Sequence, residues 1–261
     1  MRTIAMLAVI AGLGLGSLAQ ASATATSSFS PSGEARAIIG TFVFEPGQKL
    51  ALELTGGDPC PCACGTIVVS SFVVLGEDGA VIFADRIIPY PVPAKTWIGR
   101  WDLVNANSEP VPEGRYIALV RTSLGEFGVE LQVSAAGTGC LARWTQAEAT
   151  ICGIGLALYR LVDEDDDQAA VTLCSGERLM IALPGNPTTG YGWEIDDEPL
   201  MLQRADGLDY RPSSGLIGSG GTFYFRYEAV KSGTGRLELA YRRPWEVVPP
   251  QQTFSISVTV E

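Results

Sequence analysis

Thr253-Phe254-Ser255-Ile256-Ser257-Val258-Thr259-Val260 alternates apolar and small polar residues without a break. A period of two puts Phe254, Ile256, Val258 and Val260 on one face of an extended chain, with the hydroxyl residues on the other. That is a strand with one face on a core and one toward water. Working back from it, Leu179, Ile181 and Leu183 alternate with Met180 and Ala182, and Phe223, Phe225 and Tyr227 with Tyr224 and Arg226. Val171 to Leu173, Arg178 to Leu183, Gly192 to Ile195, Thr222 to Ala229, Gly235 to Tyr241 and Thr253 to Val260 read as strands. A β-sandwich over residues 171–261 is large enough to bury its own core.

The first half reads the same way. Ile38 to Phe44, Lys49 to Leu54, Thr66 to Leu75, Ala80 to Ile88, Arg115 to Arg121 and Gly128 to Val133 are short β-rich runs. Glu45-Pro-Gly47, Glu77-Asp-Gly79 and Pro112-Glu-Gly114 are turn signals between them. The expected fold is all-β: two Ig-like β-sandwich domains, 37–134 and 171–261, joined by a linker at 135–170, after a cleaved signal peptide. Trp101-Asp102 through Val111-Pro112-Glu113-Gly114-Arg115-Tyr116 is similar to the Ig-like domain of flagellar hook-capping proteins, which supports the first sandwich. Residues 24–36, rich in Ser, Thr, Ala and Pro, read as a mobile leader.

Met1-Arg2-Thr3 followed by an apolar run to Ala19, then Ala19-Gln20-Ala21 and Ala21-Ser22-Ala23, reads as a secretory signal peptide over residues 1–23. The run falls short of the roughly 20 apolar residues a membrane span needs, and no later stretch reaches that length. The mature protein is expected to be exported, periplasmic or secreted, without a membrane span, and monomeric.

The chain has 261 residues, a net charge of −11 and no histidine. The acidic balance gives no footprint for nucleic acid. The missing histidine removes Ser-His-Asp and Cys-His catalysis and histidine metal sites. No catalytic residue, metal or cofactor is expected, and recognition is favoured over catalysis. Cys60, Cys62, Cys64, Cys140, Cys152 and Cys174 would lie in an oxidising compartment and read as disulfides, with the pairing open. Each bridge closing a long loop could stabilise by roughly 3–5 kcal/mol. A thiol oxidoreductase using Cys60-Pro-Cys62-Ala-Cys64 is the enzyme alternative. Asp163-Glu164-Asp165-Asp166-Asp167 lacks the alternating ligands, Gly and closing Glu of a calcium loop and reads as part of a solvated linker. Trp144 to Ala149 reads as a helical turn and Ile154 to Leu161 as one more strand.

Three loops of the second half carry the functional signal. Asn186-Pro187-Thr188-Thr189-Gly190-Tyr191-Gly192-Trp193 combines a fixed φ at Pro187, a positive-φ position at Gly190 and a hydrogen-bonding Asn186 at its base. Thr188 and Thr189 are then held at a stiff tip. Gly218-Ser219-Gly220-Gly221 lets backbone come close to a partner. Arg242-Arg243-Pro244-Trp245 has the composition of a binding hot spot. Alone, the first two read as ordinary turns, and Trp245 reads equally well as a core residue.

In this order they resemble the chagasin family of cysteine protease inhibitors, over about residues 171–261. The resemblance implies an Ig-like sandwich whose three loops form a wedge for the cleft of a papain-like cysteine protease. It implies that Thr188, with Thr189 and Gly190, sits over the protease's catalytic cysteine. It places Arg243 and Trp245, on the Pro244-stiffened loop, at the primed side and Gly218 to Gly221 at the unprimed wall. The alternative is an envelope or adhesion-type protein of two Ig-like domains whose loops bind something else.

Overall fold

The computed structural model describes residues 26–29, 35–56, 67–85, 90–92, 96–123, 125–135, 148–151, 154–205, 209–213 and 218–261. Its strands in chain order are β1 Thr26–Phe29, β2 Ala35–Phe44, β3 Lys49–Gly56, β4 Ile67–Gly76, β5 Val81–Asp85, β6 Tyr90–Val92, β7 Thr96–Trp101, β8 Gly114–Thr122 and β9 Gly125–Val133. They continue as β10 Glu148–Ile151, β11 Ile154–Asp163, β12 Ala170–Leu173, β13 Arg178–Gly185 and β14 Gly192–Asp197. The last are β15 Leu202–Arg204, β16 Asp209–Pro212, β17 Gly221–Ala229, β18 Gly233–Arg242 and β19 Gln252–Val260. Single 3-10 turns at Glu164–Asp166 and Pro187–Thr189 are the helical elements among the described residues. The all-β expectation holds, and the strands form two β-sandwiches. The proposed signal peptide, Cys60, Cys62, Cys64, Cys140 and Cys152 lie outside the described residues.

In the first sandwich, β1-β2-β9-β8-β4-β5 form one sheet, with β6 also on β4. It packs on β3 and β7 through Phe42, Phe44, Leu50, Leu52, Leu54, Phe72 and Leu131, all buried. Each such side chain removed from water stabilises by roughly 1.5–3 kcal/mol. Tyr116 at the start of β8 donates its hydroxyl to the Pro112 carbonyl at 2.7 Å, a tyrosine corner. Trp101 donates its indole N–H to the Val104 carbonyl at 2.7 Å and lies 5.8 Å from the Tyr116 ring. The turns at Gly47 and Gly79 take positive φ, 84° and 79°.

In the second sandwich, β12-β19-β18-β14 face β15, β17 and β13. The alternating residues of the opening stretch, Phe254, Ile256, Val258 and Val260, are buried against Leu179, Ile181, Leu183 and Phe225. Ser255 is also buried. Its side chain accepts from Arg236 at 2.9 Å, and its N–H donates to Asp167 at 2.8 Å.

The join between the halves differs from a solvated linker. β11 pairs antiparallel with β3 over Ile154–Leu161 and parallel with β13 over Arg160–Asp163. One sheet, β15-β17-β13-β11-β3-β7, therefore runs through both sandwiches. Leu156 and Leu158 fill the first core and Val162 the second. The opposite face of this sheet buries a third cluster, including Ala51, Ala157, Tyr159, Leu161, Met180, Ala182 and Tyr224. That explains why Met180 and Ala182, on the face of β13 turned away from the second core, are apolar: the strand is buried on both faces.

Charge closes the same seam. Buried Glu53 of β3 accepts from Arg226 of β17: Nε at 3.1 and 3.0 Å and Nη2 at 2.6 Å. Arg226 also donates to Asp209 at 3.0 Å, and Arg211 donates to Asp209 and to the Thr96 hydroxyl of β7. Burial raises the Tyr159 phenol well above its ordinary pKa, and the neighbouring Glu53 carboxylate adds to this, so Tyr159 stays a neutral donor to Glu53.

The acidic run is a second fastener. Asp163 caps the 3-10 turn and accepts from Lys49 at 2.5 Å and Arg100 at 2.8 Å, while Asp166 accepts from Lys49 at 3.0 Å. Asp163 and Asp166 thus face the first sandwich, Asp167 accepts from Ser255 of the second, and Glu164 and Asp165 stay in water. Two smaller expectations also change. Thr26–Phe29, within the expected leader, is a strand paired with Ala35–Ile38, because a sheet edge offers backbone partners even to a Ser/Thr-rich segment. Glu148 and Ala149, the end of the expected helical turn, lie in β10 on β11; the rest of that turn is outside the described residues.

Candidate functional site

Strand register gathers the three loops at one end of the second sandwich. Gly185, where β13 ends, is opposite Gly221. Gly221, where β17 begins, is opposite Pro212 at the end of β16. Gly192, where β14 begins, is opposite Arg242 at the end of β18. The loops 186–191, 213–220 and 243–251 therefore leave the same edge of the fold.

The first loop is a capped single turn. Asn186 adopts extended backbone, and its side chain accepts from the Thr188 N–H at 3.1 Å and the Thr188 hydroxyl at 2.7 Å. Pro187 opens the turn, where its missing N–H costs nothing. The Thr189 hydroxyl donates to the Asn186 carbonyl at 2.6 Å. Gly190 closes the turn at φ 84°, a left-handed conformation that suits glycine. Pro187, Thr188 and Thr189 are exposed, with their local polar groups already engaged.

Asn186 also joins the loops. Its side-chain N–H donates to the Gly218 carbonyl at 3.0 Å, fastening the second loop to the first. Its backbone N–H donates to the Tyr241 hydroxyl at 2.7 Å, fixing both to β18. In the second loop, Tyr210 donates to the Ser219 carbonyl at 3.3 Å and the Ser213 N–H to the Gly220 carbonyl at 2.9 Å. Gly218 is exposed, at φ 84°. Gly221 is buried within β17, where a Cβ would collide with the Arg211 carbonyl, so its close approach serves its own hairpin.

Arg243 fastens the third loop to the first. It donates from Nε to the Thr189 carbonyl at 3.0 Å and from Nη1 to Glu246 at 2.7 Å, and its guanidinium lies 4.4 Å over the Tyr191 ring. The hydrogen bond to Glu246 holds its pKa above the ordinary guanidinium value. Tyr191 in turn stacks on Tyr241 at 5.4 Å. Trp245 rests on Gly190, where a Cβ would come within 2.7 Å of its ring, and remains 67% exposed. Pro244 beside it is exposed.

Of the residues singled out in the sequence, Asn186 to Tyr191, Gly218 to Gly220 and Arg243 to Trp245 converge on this surface. Tyr241 and Glu246 were not singled out. The Arg-x-x-Glu spacing from Arg243 to Glu246 was the available signal, whereas nothing local marks the Tyr241 hydroxyl as an anchor for a loop 55 residues earlier. Cys174 is buried beside this sandwich and disulfide-bonded, its partner lying outside the described residues. Among the described residues no group of three or more His, Cys, Asp or Glu could hold a metal ion, and no helix is long and apolar enough to cross a membrane.

The model of the chagasin family, peptidase inhibitors I42, matches residues 172–259. Amoebiasin-1 of Entamoeba histolytica is 33% identical over 98 residues, covering 38% of this chain and 96% of that protein. Chagasin of Trypanosoma cruzi is 36% identical over 84 residues, 30% of this chain and 74% of that protein. Among solved structures, the cysteine protease inhibitor EhICP2 from Entamoeba histolytica is 27% identical, covering 39% of this chain and 94% of that one, at a TM-score of 0.36. These relatives are inhibitors and not enzymes, and the likeness lies in the C-terminal part. Through that part, this chain belongs to the chagasin family of peptidase inhibitors.

Proposed function

We propose that this protein is an exported, monomeric inhibitor of papain-like cysteine proteases that plugs the active-site cleft reversibly with its three loops. The observation that carries this reading is the hydrogen bonding that joins the loops, Asn186 to Gly218 and Arg243 to Thr189. A surface held stiff before docking loses little conformational entropy on binding. Protease–inhibitor contacts of this kind bury on the order of 1,600 Å² in total. Thr188, at the exposed tip, covers the catalytic cysteine without offering a bond for cleavage. Trp245 anchors one side and the Gly218–Gly220 loop the other. Occlusion needs no histidine, metal or cofactor, which fits the composition.

The test is the inhibition constant of the mature chain, disulfides intact, against papain and a lysosomal cathepsin. Nanomolar inhibition is expected. Thr188→Arg, or Trp245→Ala, is expected to weaken it by about 2 kcal/mol or more, roughly 30-fold. Wild-type inhibition in both variants would contradict the wedge. The absence of inhibition by the wild type would favour the adhesion-type alternative.

A further inference from the structure

The third loop continues past Trp245 as Glu246-Val247-Val248-Pro249-Pro250. The large apolar side chains that are exposed among the described residues are Val81, Leu200, Val230, Trp245, Val247 and Val248. Half of them fall within residues 245–248. Val247 is fully exposed and Val248 58% exposed.

The exposure is built. Glu246 is turned back onto Arg243 through both its carboxylate and its N–H, which donates to the Arg243 carbonyl at 3.1 Å. That contact pairs the only charged residue of the tip with Arg243, leaving its side chain 32% exposed. Pro244 before the tip and Pro249-Pro250 after it limit the backbone. The Gln251 N–H donates to the Tyr241 carbonyl at 2.9 Å, closing the loop at its base. A stiff, mostly apolar tip whose one charge is paired is a surface for a partner.

We infer that Val247 and Val248 form a specificity contact, separate from the Trp245 anchor, for an apolar surface on the target protease beside the cleft. This inference rests on the inhibitor reading above. The two valines extend the surface of Trp245 on the same loop, so a protease that receives Trp245 meets them next. Proteases with an apolar rim at that place bind tightly, and those with a charged rim bind less well because the valines would desolvate the charge without replacing its hydrogen bonds. The tip thus selects among related clefts, while the Thr188 loop and Trp245 serve all of them.

The test uses the full mature chain and its Val247→Ser/Val248→Ser double variant against a set of papain-like proteases, papain and several lysosomal cathepsins among them. Inhibition constants are measured together with the heat capacity change of binding. Because both valines are exposed, folding and melting temperature should not change. For at least one protease the constant should rise about tenfold, with a less negative heat capacity change that reports lost apolar burial. For others it should move less than twofold, so the ranking of targets changes. A constant unchanged for every protease, with the wild type still inhibiting, would overturn the tip and leave the wedge intact. No inhibition by the wild type of any protease would overturn both.

Discussion

The wedge end and the seam between the sandwiches are both held by polar side chains, yet they work in opposite ways. At the seam, Glu53, Arg226, Asp209 and Arg211 are partly or fully buried and pair charge with charge along the one sheet that both sandwiches share. At the wedge, Asn186 and Arg243 donate to backbone carbonyls of neighbouring loops, and the residues between them stay in water. Buried ion pairs add little net stability over apolar packing, but they penalise every arrangement that leaves one member alone. Hydrogen bonds to backbone at an exposed loop fix shape at small cost to solubility. The difference suggests that the seam sets how the two halves are oriented, while the wedge is stiffened in place.

The largest effect that would break this comparison lies at the seam. Arg226→Met leaves Glu53 buried without its main cation and should cost about 3–5 kcal/mol of stability in chemical denaturation. The double variant with Glu53→Leu should recover most of that. The inhibition constant of either variant, measured on folded protein, should match wild type, because no wedge residue is touched. A weakened constant would mean that the seam reaches the loops.

Gly190→Ala acts at the other end. The residue sits at φ 84° with the Trp245 ring where its Cβ would go. A loss of about 1–2 kcal/mol in stability is expected. Inhibition should fall further than stability does, since Trp245 loses its seat. Inhibition unchanged in the variant would mean that Trp245 does not need that seat to bind.

The smallest effect is the pH dependence. Burial would raise the Asp209 pKa, but hydrogen bonds and charge from Arg226 and Arg211 outweigh it and lower it below 3.8. A depressed carboxyl contributes stability that is present above its unfolded pKa and lost as pH falls through its folded pKa. Lys49 has its pKa raised above 10.5, because its bonds and charge contacts with Asp163 and Asp166 exceed the opposing effect of burial. Its contribution is full below 10.5 and lost as pH rises through the raised value. The melting temperature should therefore hold from pH 5 to 9 and drop below about pH 3.8, with a shallower drop in Asp209→Asn. With no histidine in the chain, the inhibitor's own share of binding should be flat from pH 5 to 8. A histidine-like inflection in that range would have to come from the protease.

Strands with a clean period of two were legible in the sequence: Leu179 to Leu183 and Phe254 to Val260 lie where their alternation puts them. Thr96–Trp101 was not, because Gly99 interrupts it and no turn signal bounds it; Gly99 is there because the Trp97 ring lies over its Cα. β15 and β16 are too short for alternation to mark. The acidic run misled for a different reason. Its partners Lys49 and Arg100 are 114 and 63 residues away from Asp163, and a local reading cannot see them. At the wedge, Asn186, Pro187 and Gly190 were legible because each has one conformational job. Gly221 was read as surface because a glycine run looks alike whether it faces a partner or its own hairpin.

On the proposed reading, the three loops occupy the protease cleft itself. The most direct measurement is the apparent inhibition constant of the mature chain against papain across substrate concentrations spanning KM. A constant that rises linearly with substrate, extrapolating to a nanomolar value, is the predicted result. A constant independent of substrate concentration would place binding outside the cleft and contradict the account.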